Sequence, residues 1–188
     1  MRIISGSAGR RKISVPRDVA RPSTDRLREA LFSILGERVV GARVLDLFAG
    51  SGALGMECLS RGASSADFVD QSRESIKVVR DNLKSLALKG GRVVESDVFR
   101  FLKGRNGPYD LVFADPPYFK NAGNTDFVHE LLTHASLPSM LADGALLVVE
   151  DPPANDRPAE IVIDGEAAWT LLDQRKYGSC GILFYQRA

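Results

Sequence analysis

The hydrophobic positions of this chain alternate between two rhythms. Short apolar runs read as buried strands. The longer stretches between them carry apolar residues every three or four positions and read as amphipathic helices. Strands are predicted over 43–48, 66–70, 92–95, 109–114 and 144–150. Helices are predicted over 53–61, 72–88 and 126–141, with a short one after Asp97. The clearest is 72–88, where Ile76, Val79, Leu83 and Leu86 share one side. Upstream, Ile3-Ile4, the polar turn Ser5-Gly6-Ser7-Ala8-Gly9 and the alternation around Ile13 and Val15 predict a short hairpin. A helix follows it. Ser23 or Thr24 can cap that helix, Asp25 suits its positive end, Ala30, Leu31, Ile34 and Leu35 give it an apolar face, and Gly36 or Gly41 ends it. Arg26 and Arg28 lie on its first turns and read as exposed cations, one of them placed to reach a ligand. Downstream, 161–163 reads as a short strand, and 169–174 and 181–186 as two closing strands around Lys176-Tyr177-Gly178-Ser179. Strands regularly separated by helices imply an α/β fold whose mostly parallel sheet is covered on both faces.

Length and composition change this picture little. The 188 residues suffice for one domain, or one domain with a small appendage. Hydrophobic content of 44% and charged content of 26% are ordinary for a soluble globular protein. No apolar run approaches the roughly 20 residues of a membrane span. Met1-Arg2-Ile3-Ile4-Ser5-Gly6 has no signal-peptide core, so a cytoplasmic protein is expected. Cys58 and Cys180 have no metal-ligand spacing and read as buried thiols. His129 and His134 are five apart, a poor spacing for a shared helical face, so no metal site is expected. Charge is more informative. Residues 1–43 carry ten Lys/Arg against four Asp/Glu, whereas residues 44–188 carry fifteen against twenty. The basic end suits a polyanion. Arg10, Arg11 and Lys12 at the hairpin turn, with Arg21 further on, are the candidate phosphate contacts.

Five predicted strands end in or just before a carboxylate: Asp46, Asp70, Asp97, Asp115 and Glu150. Ligands of open α/β sheets bind at those strand ends. The predicted pocket is rich in acceptors and short of cations. Gly50-Ser51-Gly52-Ala53-Leu54-Gly55 follows a strand, opens a helix, and has Asp70 twenty residues after Gly50. That is the dinucleotide-binding fingerprint in its expected context. Asp46, however, sits four residues before Gly50, where it would repel a pyrophosphate. It would attract the ammonium group of S-adenosylmethionine, which has no phosphate and a positive sulfur. Asp70, with Gln71, would bind ribose hydroxyls under either cofactor. Asp97, with the Val98 backbone, would reach the adenine amine. Phe48, Ala49, Gly50 and Gly52 form the turn around the cofactor.

The second half of the pocket is Asp115-Pro116-Pro117-Tyr118, after the apolar run Leu111-Val112-Phe113-Ala114. Proline has no N–H and a fixed φ, so the turn is stiff and its carbonyls are free to accept. The Asp115 carboxylate and the Pro116 carbonyl can take the two hydrogens of an exocyclic –NH2 while Tyr118 stacks on the base. Drawing the amine out of conjugation restores its lone pair. Methyl transfer to a base amine uses all four residues, and hydride transfer from NAD uses none of them. The residues alone leave guanine and adenine, RNA and DNA, and a catalytically silent RNA-binding role open.

The motifs together narrow the field. Asp46 to Gly55 followed by Asp-Pro-Pro-Tyr resembles class I S-adenosylmethionine-dependent amino methyltransferases. Arg2-Ile3-Ile4-Ser5-Gly6, the Arg10-Arg11-Lys12 turn, Arg21-Pro22-Ser23-Thr24-Asp25-Arg26-Leu27-Arg28-Glu29-Ala30-Leu31-Phe32, and the glycine-rich turn are together similar to the RsmD family of 16S ribosomal RNA guanine methyltransferases. The departures are Ser23, where the family often has Thr, and Tyr118, where it often has Phe. The resemblance implies a Rossmann-like class I fold, with a mostly parallel seven-stranded sheet and helices on both faces. It implies an RNA-facing extension over 1–40 and a methyltransferase domain over 41–188. It also implies methylation of guanine N2 in 16S rRNA, by a monomer acting within an assembling small subunit.

Overall fold

The computed structural model describes residues 1–17, 24–104, 107–117, 125–153 and 155–188. They fall into two compact units, Met1–Phe101 and Leu102–Ala188. The boundary expected near residue 40 is one of role.

The first unit opens with the predicted hairpin. The Ile3 and Ile13 amides donate to the Arg11 and Met1 carbonyls, and Arg2 pairs antiparallel with Lys12. Ile3, Ala8 and Ile13 are buried, so the hairpin contributes to a core rather than waving in solvent. Helix α1 spans Asp25–Leu35. Thr24 caps it through the Leu27 amide, and Gly36 at φ +51° ends it. Strands β1 (Arg43–Leu47), β2 (Ser65–Asp70) and β3 (Gly91–Glu95) run parallel in the order β3-β2-β1. Between them lie α2 (Ala53–Ser60) and α3 (Arg73–Leu86), followed by a short α4 (Val98–Leu102). The four residues predicted for the face of α3 are buried, and Ser72 caps its first turn.

The second unit holds β4 (Tyr109–Ala114), α5 (Phe127–Leu132), β5 (Leu141–Asp151), β6 (Glu160–Ile163), β7 (Glu166–Tyr177) and β8 (Cys180–Arg187). Their order is β4-β5-β8-β7-β6, with β4 and β5 parallel and the remaining pairings antiparallel. The sheet therefore has eight strands rather than the seven that the resemblance implies, and the short strand read from the sequence at 161–163 is its edge strand beyond β7. The helix expected over 126–141 is also corrected. It stops at Leu132, and only a 3₁₀ turn at Pro138–Met140 follows. Pro138 lacks an N–H and its ring would clash with the carbonyl four residues earlier, so the helix cannot run through it. Trp169 is wholly buried, and its indole N–H donates to the Leu132 carbonyl at 3.0 Å.

Candidate active site

Strand β1 delivers the chain into a turn that only glycine-like backbones can follow. Phe48 has φ +57°, Gly50 +54° and Gly52 +74°. Left-handed backbone at a phenylalanine costs on the order of 1–2 kcal/mol and persists where the surroundings impose it. Gly55 is fixed for another reason: a Cβ there would lie 2.4 Å from a Phe68 ring carbon and 3.1 Å from Asp46 Oδ2. The third glycine of the fingerprint thus lets α2 lie close on the sheet.

Four amides of this turn are spent inside the protein. Ala49 N–H donates to the Val69 carbonyl at 3.1 Å, and Gly52 N–H to the Ala49 carbonyl at 2.7 Å. Gly50 N–H donates to Asp70 Oδ2 at 2.8 Å, and Gly55 N–H to Asp46 Oδ2 at 2.9 Å. A pyrophosphate relies on such amides at a helix start. Here two of them already hold carboxylates, whose charge a diphosphate would meet head-on.

Asp46 is buried, and burial pushes its carboxyl up to about 7 despite the Gly55 hydrogen bond, with the Asp70 charge adding to the rise. A cation arriving beside it would recover that cost. Asp70 is half-buried; its Oδ1 accepts from the Ser72 amide at 2.8 Å, so each oxygen keeps a lone pair for a hydroxyl. Gln71 is exposed between them. Asp97 is exposed and caps α4, accepting from the Arg100 amide at 2.9 Å, and Val98 is buried behind it. The rings of Phe48 and Phe99 meet edge-to-face, centroids 6.4 Å apart. This donor-poor, acceptor-rich turn fits a phosphate-free cationic cofactor with a ribose, and does not fit a dinucleotide.

The basic residues of the hairpin divide. Arg10 and Lys12 are exposed. Arg11 reaches the end of α3, donating to the Leu86 carbonyl at 2.8 Å and to the Ser85 carbonyl. That is a helix C-cap, favourable at the negative end of the helix. Arg21 lies outside the described residues. Arg28, expected to be exposed, is 1% accessible, donating to the Arg2 carbonyl at 2.6 Å and to Asp25 Oδ1 at 2.8 Å. Arg26 is exposed.

In the second unit, β4 ends as the sequence predicts. Asp115 follows it half-buried, Pro116 is buried and Pro117 exposed; Tyr118 lies outside the described residues. Beyond that turn, the side chain of Arg157 is 8% exposed and binds two carboxylates. It donates to Asp151 Oδ2 at 2.7 Å and to both oxygens of Asp126, at 2.7 and 2.9 Å. Among the described residues, no His, Cys, Asp or Glu cluster could hold a metal.

Comparison with known proteins places this geometry. The family described as "Conserved hypothetical protein 95" matches residues 1–186. The chain is 37% identical over its whole length to "Ribosomal RNA small subunit methyltransferase D" of Escherichia coli K12, covering 90% of that protein. It is also 37% identical to "Putative rRNA methyltransferase YlbH" of Bacillus subtilis, covering 99% of it. The solved structure "Putative methyltransferase yhhF from Escherichia coli" superposes with a TM-score of 0.82 at 36% identity, over 100% of this chain and 97% of that one. The chain belongs to the RsmD family.

Sequence reasoning missed several structural partners in this RsmD-family chain. Glu57 of α2 is fully buried and accepts from the Ile4 and Ser5 amides at 2.7 and 3.0 Å and from Arg61 Nε at 2.6 Å. Asn82 of α3 exchanges two hydrogen bonds of 2.9 Å with the Ser14 backbone and donates to the Ser51 carbonyl at 3.2 Å. Glu57 was visible as a lone charge among apolar neighbours on α2. Asn82, flanked by Arg80, Asp81 and Lys84, and Phe99 had no such signal.

Proposed function

We propose that the chain transfers the methyl group of S-adenosylmethionine to the exocyclic N2 amine of a guanine in small-subunit ribosomal RNA. The observation that carries this reading is the glycine turn: two of its amides, those of Gly50 and Gly55, serve Asp70 and Asp46, whose carboxylates a phosphate would meet. Family membership and the E. coli relative's name support ribosomal RNA as substrate. Neither the DNA adenine alternative nor the dehydrogenase alternative has comparable support.

Asp46, Phe48, Ala49, Gly50, Gly52, Asp70, Gln71, Asp97 and Val98 would hold the cofactor, which supplies a methyl group on a good leaving group. The chain's work is positioning. Asp115 and Pro116 would accept the two amine hydrogens and stabilise the charge that nitrogen gains, with Pro117 stiffening the turn and Tyr118 stacking on the base. The target must leave its stack to be reached. Residues 1–40 would face the RNA through Arg10, Lys12, Arg21 and any Arg11 donors left over from its cap, and residues 41–188 would carry the chemistry. We place the activity in the cytoplasm, in a monomer working on an assembling subunit.

The test uses small subunits, their assembly precursors and ribosomal RNA from cells lacking the gene, labelled methyl donor, and digestion to nucleosides. N2-methylguanosine is expected. N6-methyladenosine, or label only in duplex DNA, overturns the target; no label anywhere overturns the enzyme. Asp115→Ala should lower transfer by at least a hundredfold while cofactor affinity stays within twofold, and near-wild-type transfer would remove Asp115 from its assigned role.

A further inference from the structure

The second unit poses a problem for an RNA enzyme. Residues 102–188 hold seven Lys/Arg against twelve Asp/Glu, a surface that repels a polyanion on balance. Among the described residues, Arg157 is engaged by Asp126 and Asp151, and Arg187 by the Leu141 carbonyl and Asp143. Yet Asp115 and Pro116, where the target amine is read to be held, lie in this unit.

The register of the sheet shows where cations return. Ala114 of β4 is level with Val149 of β5, so Asp115 comes level with Glu150. Glu150 pairs with Ile182 of β8, and Ile182 with Arg175 of β7. One step on, Asp151 pairs with Gly181 and Gly181 with Lys176. The β7–β8 turn therefore stands at the same sheet edge as the Asp-Pro-Pro turn. Three strand spacings of about 4.8 Å put Arg175 about 14 Å from Asp115, a span of a few nucleotides. Arg175-Lys176 is the only adjacent pair of cations in residues 102–188, and Tyr177 follows it. Gly178, at φ +63°, turns the hairpin so that this pair sits at its tip. Both cations are exposed. Arg175 contacts only a neighbour on its own strand in the described ion pairs, Asp173 at 2.7 Å. An exposed pair of that kind is weak, so a phosphate displaces it at little cost.

We propose that the β7–β8 turn is a second RNA-binding element, in which Arg175 and Lys176 take phosphates flanking the target base. Cations beside an aromatic are the usual composition of a single-strand surface. This rests on the reading of Asp115 and Pro116 as the holder of the amine.

The test is the double variant Arg175→Ala/Lys176→Ala, compared with Arg175→Lys/Lys176→Arg, in binding to a small-subunit rRNA transcript followed by anisotropy. Loss of two single-strand phosphate contacts should lower the slope of log affinity against log salt by about 1.4. Affinity should fall about tenfold at 0.1 M salt, and the charge-preserving variant should behave as wild type. In methylation assays KM for RNA should rise similarly, while kcat and cofactor affinity hold. Unchanged affinity and slope in the double alanine variant would overturn the proposal, as would a loss confined to kcat or to cofactor binding. Anisotropy does not depend on turnover. If the wild type transfers no methyl group, the proposed function falls while the salt slope still decides the tip.

Discussion

Asp46→Asn should make the protein more stable and its cofactor binding worse, and the pH dependence of each effect follows from one buried carboxyl. Burial raises that carboxyl from an ordinary 3.8 to about 7. Between those values the folded protein keeps a proton that the unfolded chain has released. Stability therefore falls as pH rises through this window, and the full penalty is present above about pH 7. Three pH units at about 1.36 kcal/mol each put the penalty on the order of 4 kcal/mol. Asparagine keeps an oxygen to accept the Gly55 N–H and carries no charge at any pH. The variant should thus exceed wild type in denaturant unfolding at pH 8 by up to that amount. At pH 5 the gap should shrink to about 1–2 kcal/mol, and it should close below about pH 4, where the unfolded carboxyl is protonated as well. Titrating groups that do not feel the Asp46 charge are common to both proteins and cancel in the difference.

Cofactor binding should move the other way. A cationic ligand beside Asp46 favours the carboxylate, so its binding releases a proton near neutral pH. Wild-type affinity should climb as pH rises from 6 toward 7 and level off above it, while the variant is weaker and flat. Calorimetry in two buffers of different ionisation enthalpy reads the proton directly. S-adenosylhomocysteine lacks the sulfonium charge but keeps the ammonium. Equal losses for both ligands locate the effect at the ammonium; a loss for S-adenosylmethionine alone locates it at the sulfur. A variant that is stabilised equally at pH 5 and pH 8 would refute the electrostatic account. One that binds cofactor like wild type would reduce Asp46 to a brace for Gly55.

Two further substitutions probe the supports of the turn. Asn82→Ala removes three hydrogen bonds, one of them from the Ser51 carbonyl of the glycine turn. It should cost about 1–3 kcal/mol in unfolding and weaken the cofactor severalfold, and an unchanged cofactor affinity would show that the bond is not needed to hold the turn. Gly55→Ala forces a methyl group to within 2.4 Å of Phe68. It should destabilise the fold by about 1–3 kcal/mol and lower the melting temperature by roughly 2–12 °C, and a neutral effect would mean that the helix can lift off the sheet freely.

The parts legible in the sequence were those whose cause is local. Buried strands announce themselves as apolar runs, α3 by its spacing, and the turn by glycines that take φ +54° and +74° without the cost other residues bear there. Pro138 was equally local, and its helix-breaking signal was there to be used. What stayed hidden was partnership at a distance. Arg11 reads as one of three equal cations, yet 74 residues separate it from the Ser85 carbonyl it caps. Arg28 reads as a surface residue until the hairpin carbonyl of Arg2 is brought to it. Charge counts report how many cations a segment has and not which of them are engaged.

That distinction bears on how the basic end works. Glu57 and Ser60 belong to α2, the helix that the glycine turn opens, and they hold the hairpin through the Ile4, Ser5, Ser7 and Ala8 amides. The fit leaves no slack, since a Cβ at Gly6 would lie 1.9 Å from the Ser60 carbonyl oxygen. On the far side, Asn82 ties Ser14 to the carbonyl of Ser51. The hairpin and the turn thus share α2 at one end and Asn82 at the other, within a single compact unit. A phosphate held by Arg10 or Lys12, as proposed above, would load the scaffold that shapes the Asp46 and Asp70 contacts. By linkage, any factor by which cofactor at the turn changes RNA affinity at the hairpin is the factor by which RNA changes cofactor affinity.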